Sequence, residues 1–513
     1  MRMNALRRPT LSAPLPLAEG DLMAAIDMGS NSYHMMVARY SQGQIRVVDR
    51  IREMVRMAEG LDGKGGLAPS ARERALDCLS RFGERIADIP PQRVRAIATN
   101  TVRSLRDPQA FLVLAESALG HAIEIVSGRE EARLVYLGVS HAQPSEPGEL
   151  RLVMDVGGGS TECIIGSGFE AIERESLQMG CVATTRRFFG NGKLSRKKWK
   201  QARDELGAEF QQFAQRYREL GWNDVLGSSG TIKAIGKICS EMKLTKGAIT
   251  APVLPQVRDA LLAAETIDAI DLPGLSSDRK PVIAGGLLIV ESAFDALGIE
   301  RMAVSRAAMR EGILYDMIGR GGEADPRDEA IHLLMSRYDV DEEPAARVEA
   351  TAMHLFDPVA DAWRLGAEDR AKLGWAAWLH EIGLAIAHSQ YHLHGAYLID
   401  HSDISGFTRQ QQQVLAALVR THRRSIPKNA FEDIPDRLLE QTRQIAALLR
   451  LAVLLNRSHG AVDLPTLKLR AEGPQLTLTL PKRWLDARPL MRTDLSGEQD
   501  DLPALGFSLR ITD

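Results

Sequence analysis

Two short hairpins carry the residue types that phosphate chemistry needs. In "LVMDVGGGSTECIIGS", residues 152–167, Asp155 closes an apolar run and is followed by Gly157, Gly158, Gly159 and Ser160 before a second apolar run. In "LMAAIDMGSNSYHMMVA", residues 22–38, Asp27, Gly29, Asn31 and Ser32 follow in the same order, so that Asp27 aligns with Asp155, Gly29 with Gly157 and Ser32 with Ser160. Glycines let successive backbone N–H groups converge on an anion, and hydroxyls add donors. A carboxylate at the end of such a strand repels phosphate unless a cation lies between them. Asp155 therefore implies Mg²⁺, held through waters because this ion dehydrates reluctantly. Glu162, further along the same hairpin, either returns to that ion or is an ordinary strand carboxylate. A third glycine-bearing turn, "DVLGSSGTIKAIGKI", contributes Ser229 and Gly230. A lone turn of this type is an ordinary hairpin; two in register and a third beside them point to a ligand.

The stretch "SGREEARLVYLGV", residues 127–139, holds a candidate base. Ser127 is a good N-cap and Glu130, three residues on, completes a capping box worth about 1 kcal/mol. Glu131 has no such duty. At helical spacing it shares a face with Leu134, Val135 and Gly138, the side that turns inward, where a carboxylate needs a partner or a purpose. A rim position paired with an arginine is the structural alternative.

These residues must be held by elements that the pattern also reveals. Residues 22–39 read as a hairpin, "VRAIAT" as a strand ending at a helix with Pro108 in its first turn, and "AIEIVSGREEARLVYLGV" as strand, turn and helix. From 180 to 320 strands and helices alternate. The texture changes at "GRGGEADPRDEA", residues 319–330, which reads as a linker. Residues 328–456 are mostly helical by period and hold eight of the twelve histidines. "LKLRAEGPQLTLTL" then alternates at period two, as a small strand-rich cap would.

Bulk properties narrow the function classes. With 513 residues, 44% apolar and 26% charged, the chain is long enough for several cores, and a net charge of -3 gives no whole-protein field to gather nucleic acid. Cys78, Cys163, Cys181 and Cys239 lack metal-ligand spacing and imply reduced thiols in the cytoplasm. Prolines break every apolar run of the first twenty residues, and no later run reaches bilayer length.

The motifs "AIDMGSNSYHM", "ATNTVR", "SGREEARLVYLGV", "DVGGGSTE", "MGC", "GSSGTIKA", "DRKPVIAGG" and "MREGILYDM" resemble those of the exopolyphosphatase and guanosine pentaphosphate phosphohydrolase family. That family lies in the acetate kinase, sugar kinase, heat-shock chaperone and actin superfamily. The resemblance spans nearly the whole chain, with "LHEIGL", "HGAYL" and "LLRLAVLLN" matching in the second half. It implies an α/β fold of two ribonuclease-H-like lobes around a cleft, residues 21–135 and 136–320. A degenerate all-α His-Asp-type domain over 328–465 and a small α+β cap over 466–513 would follow.

The same resemblance implies Glu131 as general base and Mg²⁺ near Asp155 and Glu162. Asn31, Ser32, Arg103, Gly157, Gly158, Gly159, Ser160, Ser229, Gly230 and Arg279 would face phosphate oxygens. Read singly, each arginine is more often a surface ion-pair partner. Cys181 matches a family cysteine near the site, though a small buried thiol explains it equally.

The expected reaction is removal of terminal orthophosphate from inorganic polyphosphate. The intact triple glycine and "DRKPV" resemble that branch. Hydrolysis of guanosine pentaphosphate (pppGpp) to the tetraphosphate is the alternative, and a non-catalytic polyphosphate or alarmone sensor is a third reading. A homodimer is implied by resemblance, with cytoplasmic placement and peripheral contact at the inner membrane face compatible with it.

A basic run at 186–203 with eight Lys/Arg, and Arg423, Arg424 and Lys428, would suit a phosphate track or simply solvated helix faces. His354, His380 and Glu381 stand where a His-Asp fold places its metal ligands, with Glu381 in place of Asp. The histidines of 388–401 are explained by helix packing and surface exposure, and this half is expected to bind substrate or a second subunit without running its own reaction. One departure stands out: "SRAAMREG", residues 305–312, carries Arg306 and Ala307 where relatives have an acid and a glycine.

Overall fold

The structure is a computed structural model that describes residues 17–41, 44–146, 148–320, 325–402, 404, 406–457 and 464–512. It forms two compact units, one ending at residue 320 and the other beginning at residue 325.

The first unit is built on a repeated strand plan. Strands β1 (Leu22–Met28), β2 (Tyr33–Ser41) and β3 (Gln44–Glu53) form an antiparallel meander. Strands β4 (Val94–Ala98) and β5 (Ile123–Ile125) then add in parallel beside β1, giving the order β3-β2-β1-β4-β5. The second sheet repeats this. Its meander is β6 (Leu150–Val156), β7 (Thr161–Ser167) and β8 (Glu170–Leu177), with β9 (Asp224–Ser228) and β11 (Arg301–Val304) parallel beyond β6. The two-residue β10 (Ile249–Thr250) lies at its edge. The duplication read from two hairpins thus extends to whole sheets.

Alternation along each strand explains the layers. One face of the first sheet packs on the helices Pro69–Arg85 and Pro108–Leu119 through Ala24, Ile26, Met35, Phe82 and Phe111. The outer face of the second sheet packs on Arg196–Leu220 and on Ile283–Leu297, a helix buried almost all round. Between the sheets lie the helices Gly128–Ala142 and Met309–Arg320, sharing a core of Met23, Met36, Val135, Val153, Ile164 and Ile313. These two helices cross at glycine: a Cβ on Gly312 would overlap the Leu134 carbonyl, and one on Gly138 would overlap the Ala308 carbonyl.

A buried ion network ties the same helices to the first sheet. Arg95 of β4 pairs with Glu124 of β5 at 3.1 Å and with Asp316, while Arg133 pairs with Glu130 at 2.8 Å and also with Asp316, whose side chain is wholly buried. This revises the expectation for Glu130. Ser127 does cap the helix by accepting from the Glu130 N–H at 3.2 Å, but the Glu130 carboxylate accepts two hydrogen bonds from Arg133.

The second unit packs the helices Pro326–Arg337, Glu342–Phe356, Ala367–Leu379, Tyr391–His401, Arg409–Thr421 and Asp436–Leu455 around one apolar core. Strands β12 (Lys468–Glu472), β13 (Gln475–Thr479) and β14 (Ser508–Thr512) form a small sheet whose Leu469, Leu476, Leu478 and Leu509 belong to that same core. The linker expected over 319–330 overlaps two helix ends, and its residues 321–324 lie outside the described residues.

Candidate functional site

The two acid-glycine turns meet face to face. A Cβ on Gly158 would lie 3.0 Å from the Ser30 Cβ and 3.3 Å from the Asn31 nitrogen, and one on Gly159 would touch Asn100 and Ser30. Any side chain at these positions would push the turns apart, so glycine is required by close approach. Corresponding positions have matching surroundings: a Cβ on either Gly29 or Gly157 falls 3.0 Å from the carbonyl of the serine three residues on.

Between the turns lies a cavity of about 350 Å³. Asp27, Asn31, Ser32, Glu131, Asp155, Gly157, Gly158, Gly159, Ser160, Ser229, Gly230 and Arg279 all line it. Gly230 permits the Arg279 guanidinium to lie against the third turn, where a Cβ would overlap it. Ser229 holds a left-handed φ of 89°, uncommon for a non-glycine residue and a form of strain that clusters at functional turns.

Two expected residues stand behind the wall. The Arg103 Nη1 lies 3.7 Å from the Glu131 Oε2 and donates to the Val126 carbonyl, so Arg103 faces Glu131 and does not line the cavity. Glu162 is only 1% exposed and sits beside Asp155 as its cross-strand partner, receiving a hydrogen bond from Ser176 at 3.0 Å. Cys181 is buried off the lining at a helix start, and burial pushes its thiol pKa up, which suits packing better than reactivity. All four cysteines are buried and unpaired.

The structure also gathers residues that the sequence reading left out. His34, Arg50, Arg52, Lys233 and Arg310 all line the cavity. Asp27, His34 and Arg52 form one cross-strand row over β1, β2 and β3, as Asp155, Glu162 and Ser176 do over β6, β7 and β8. Equal scaffold positions thus carry acid and cation in one lobe, and two acids in the other. A signal existed for this row, since Asp27 and His34 align with Asp155 and Glu162. Arg310 faces the acids, while Glu311 holds the start of their helix by accepting from the Ala308 N–H at 2.9 Å. The altered residue Arg306 is exposed, and its carbonyl accepts from the Lys233 Nζ at 2.8 Å.

Electrostatics mark the acids as poised. Burial raises the Glu131 pKa to about 8, with Asp27 and Asp155 adding repulsion and Arg103 opposing it. Burial likewise raises Asp27 to about 7, against the pull of Arg310. Glu162 is raised well above the ordinary range by burial and by Glu131 and Asp155. His34 moves the other way, to about 2, because it is buried among Arg310, Arg52, Arg279 and Lys233. It is therefore neutral, and its Nε2 lies 2.9 Å from the Ser32 hydroxyl. The Asn31 Nδ2 and the Glu131 Oε2 are buried without hydrogen-bond partners, a costly condition that a ligand would relieve.

Crowded acids also bear on a metal. Among the described residues no group of three His, Cys, Asp or Glu could enclose an ion. Mg²⁺ asks for less: one or two carboxylates, retained waters and substrate oxygens suffice. Asp155 and Glu162, side by side and both resisting ionisation, fit that mode.

These buried acids set a stability prediction. An acid whose pKa is higher in the folded chain than in the unfolded one favours folding fully below its unfolded pKa, near 4.5 for Glu131, and loses that benefit as pH rises through about 8. Metal-free protein should therefore melt lower at pH 8.5 than at pH 6. Glu131→Gln, which carries no charge to bury, should melt at least about 4 °C above the parent at pH 8.5 and show a smaller difference at pH 6. Equal melting temperatures at both values would show that Glu131 ionises freely.

The chain is 39% identical over 496 residues to a guanosine-5'-triphosphate,3'-diphosphate pyrophosphatase of Aeromonas hydrophila subsp. hydrophila, covering 96% of this chain and 98% of that one. It is 35% identical over 491 residues to a protein of the same name from Pseudoalteromonas translucida, covering 95% and 98%. Among solved structures, an exopolyphosphatase from Cytophaga hutchinsonii shares the fold with a TM-score of 0.51 at 23% identity, over 59% of this chain and all of that one. An exopolyphosphatase-like protein does so with a TM-score of 0.53 at 24% identity, over 58% and 98%. The model of the Ppx/GppA phosphatase family matches residues 36–321 and that of its domain III matches 327–499, so the chain belongs to the Ppx/GppA phosphatase family.

Proposed function

We propose that the protein hydrolyses the terminal phosphoanhydride of guanosine-5'-triphosphate,3'-diphosphate, releasing orthophosphate and leaving the tetraphosphate. The reaction class, a family hydrolase acting on a phosphoanhydride, rests on membership; the nucleotide rests on the names of relatives matched over nearly their full length. The observation that carries catalysis is Glu131: a buried carboxylate whose Oε2 lacks a hydrogen-bond partner, on the lining where the two glycine turns converge.

Phosphoryl transfer of this kind has a loose transition state, so the site has to position water in line and neutralise oxygens. In this reading the amides of Gly157, Gly158 and Gly159, with Ser160, Asn31 and Ser32, hold the terminal phosphate. Glu131 accepts a proton from a water whose oxygen attacks the terminal phosphorus, while the bond from that phosphorus to the bridging oxygen breaks. The bridging oxygen leaves with the bond's electron pair. Arg279, Lys233 and Arg310 offset negative charge along the chain of phosphates. Asp155 and Glu162 would hold Mg²⁺, whose charge would help to neutralise the phosphates. Arg103 keeps Glu131 oriented.

Inorganic polyphosphate presents the same terminal anhydride, and the triple glycine that pointed to it would serve either substrate. Purified protein with Mg²⁺ should release phosphate from the pentaphosphate nucleotide with a kcat/KM at least about tenfold above that for long-chain polyphosphate, a difference of roughly 1.4 kcal/mol. The reverse ratio would return the assignment to an exopolyphosphatase. Release from neither would leave a binding protein.

A further inference from the structure

The second unit holds a larger cavity, about 740 Å³, within the range of nucleotide-sized sites. Its lining includes His380, Glu381, Tyr391, His422, Arg423 and Arg424. The turn bearing the last three is firmly held. Arg450, with its side chain 1% exposed, donates from Nη1 to the carbonyls of Thr421 and Arg424 and is itself gripped by Glu498 and Asp501. Arg424 sits at a left-handed φ of 63° under this clamp.

Four acids line the cavity, each beside a basic side chain: Glu498 and Asp501 with Arg450, Asp494 with Arg457 at 2.6 Å, and Glu381 with the His380 ring at 3.9 Å. Arg423 and Arg424 have no carboxylate within ion-pair distance among the described residues, and the Arg423 guanidinium lies over the Tyr391 ring at 4.4 Å. His422, 2% exposed, contributes a different group. Its Nδ1 lies 2.6 Å from the Val419 carbonyl and so carries the proton, leaving a buried Nε2 lone pair with no partner. Burial and the neighbouring His380 hold this ring neutral. The cavity thus offers two cations for an anion and one acceptor that requires a donor. A metal is disfavoured by the arginines, and no three-ligand group exists here among the described residues.

We propose that this cavity binds a phosphate ester that also carries a hydroxyl or N–H donor, a nucleoside or sugar phosphate, with Arg423 and Arg424 on the phosphate and the His422 Nε2 accepting from the donor. Bare polyphosphate meets only half of these requirements. The sequence cluster of Arg423 and Arg424 finds its use here, independent of the catalytic cleft.

The test is calorimetric titration of the full chain with guanosine 5'-diphosphate, compared with the double variant Arg423→Gln, Arg424→Gly. Glycine suits the left-handed backbone, so this variant removes charge without adding strain, and its melting temperature serves as the check on folding. The double variant should lose one binding site per chain relative to the parent while melting at the same temperature. An unchanged number of sites and affinities overturns the proposal. Pyrophosphate and guanosine, titrated separately, should each bind the lost site at least about tenfold more weakly than the diphosphate nucleotide, a step of about 1.4 kcal/mol. Pyrophosphate binding as tightly overturns the donor requirement. Ribose 5-phosphate binding as tightly as the nucleotide would support the site and identify a sugar phosphate as its ligand. His422→Gln should weaken nucleotide binding and leave pyrophosphate binding unmoved; an equal loss of both overturns the role of Nε2.

Discussion

Glu131→Gln is expected to lower the rate of phosphate release by about 10²–10⁴-fold with little change in KM, the span that a positioned general base supplies. Glutamine keeps the volume and can still face Arg103, so the glycine turns should remain in place and substrate should still bind. What it lacks is an oxygen that can take a proton from water. The parent rate should rise with pH as the carboxyl, held near 8 by burial, ionises. In the variant that rising limb should vanish along with most of the rate. A cation bound among the acids moves the limb to lower pH, because positive charge favours the carboxylate. Phosphate release within threefold of the parent would remove Glu131 from the chemistry, whatever its position in the cleft.

The second large effect is on folding. Asp316 accepts from Arg95 and Arg133 with its side chain wholly buried; in Asp316→Ala the two arginines keep Glu124 and Glu130 but lose the N–H···O bonds to this carboxylate in the interior. Leaving a buried donor unsatisfied costs about 1–3 kcal/mol, so the two lost bonds together cost about 2–6 kcal/mol. Urea unfolding should show that loss, and activity should fall with it, because Arg133 and Glu131 belong to one helix. Asp316→Asn, which still accepts one hydrogen bond, should lie between parent and alanine. A change under about 1 kcal/mol for the alanine form would mean that water reaches the arginines.

Local pattern revealed the parts of this site that lie within one hairpin or one helix turn. Asp155 and Glu162 read as members of one hairpin, and the inward face of Glu131 follows from helical spacing; both appear in the structure. Convergence over long separations was illegible. Arg50 meets Glu311, and Arg52 meets Asp278, only because two sheets close on each other, and no local period encodes that. The Glu130 expectation failed for a similar reason: a capping box is a local rule, and it lost to Arg133, which is itself anchored by a distant aspartate. In the second unit the histidines read as packing and surface residues, and the carbonyl partners of His380 and His422 fit that reading, while the arginines beside them have no local pattern to announce a shared cavity.

The meeting of Gly138 and Gly312 has a mechanical consequence. Where two helices touch backbone to backbone there is no compressible side chain to absorb sliding, so the pair behaves as a single strut. Glu131 rides on one member and Arg310 on the other. Breathing of the lobes that admits substrate and expels product would carry both groups as one body, leaving adjustment to the glycine turns around them. Alanine at either crossing point would detune the spacing of base and cation without altering a single atom of either.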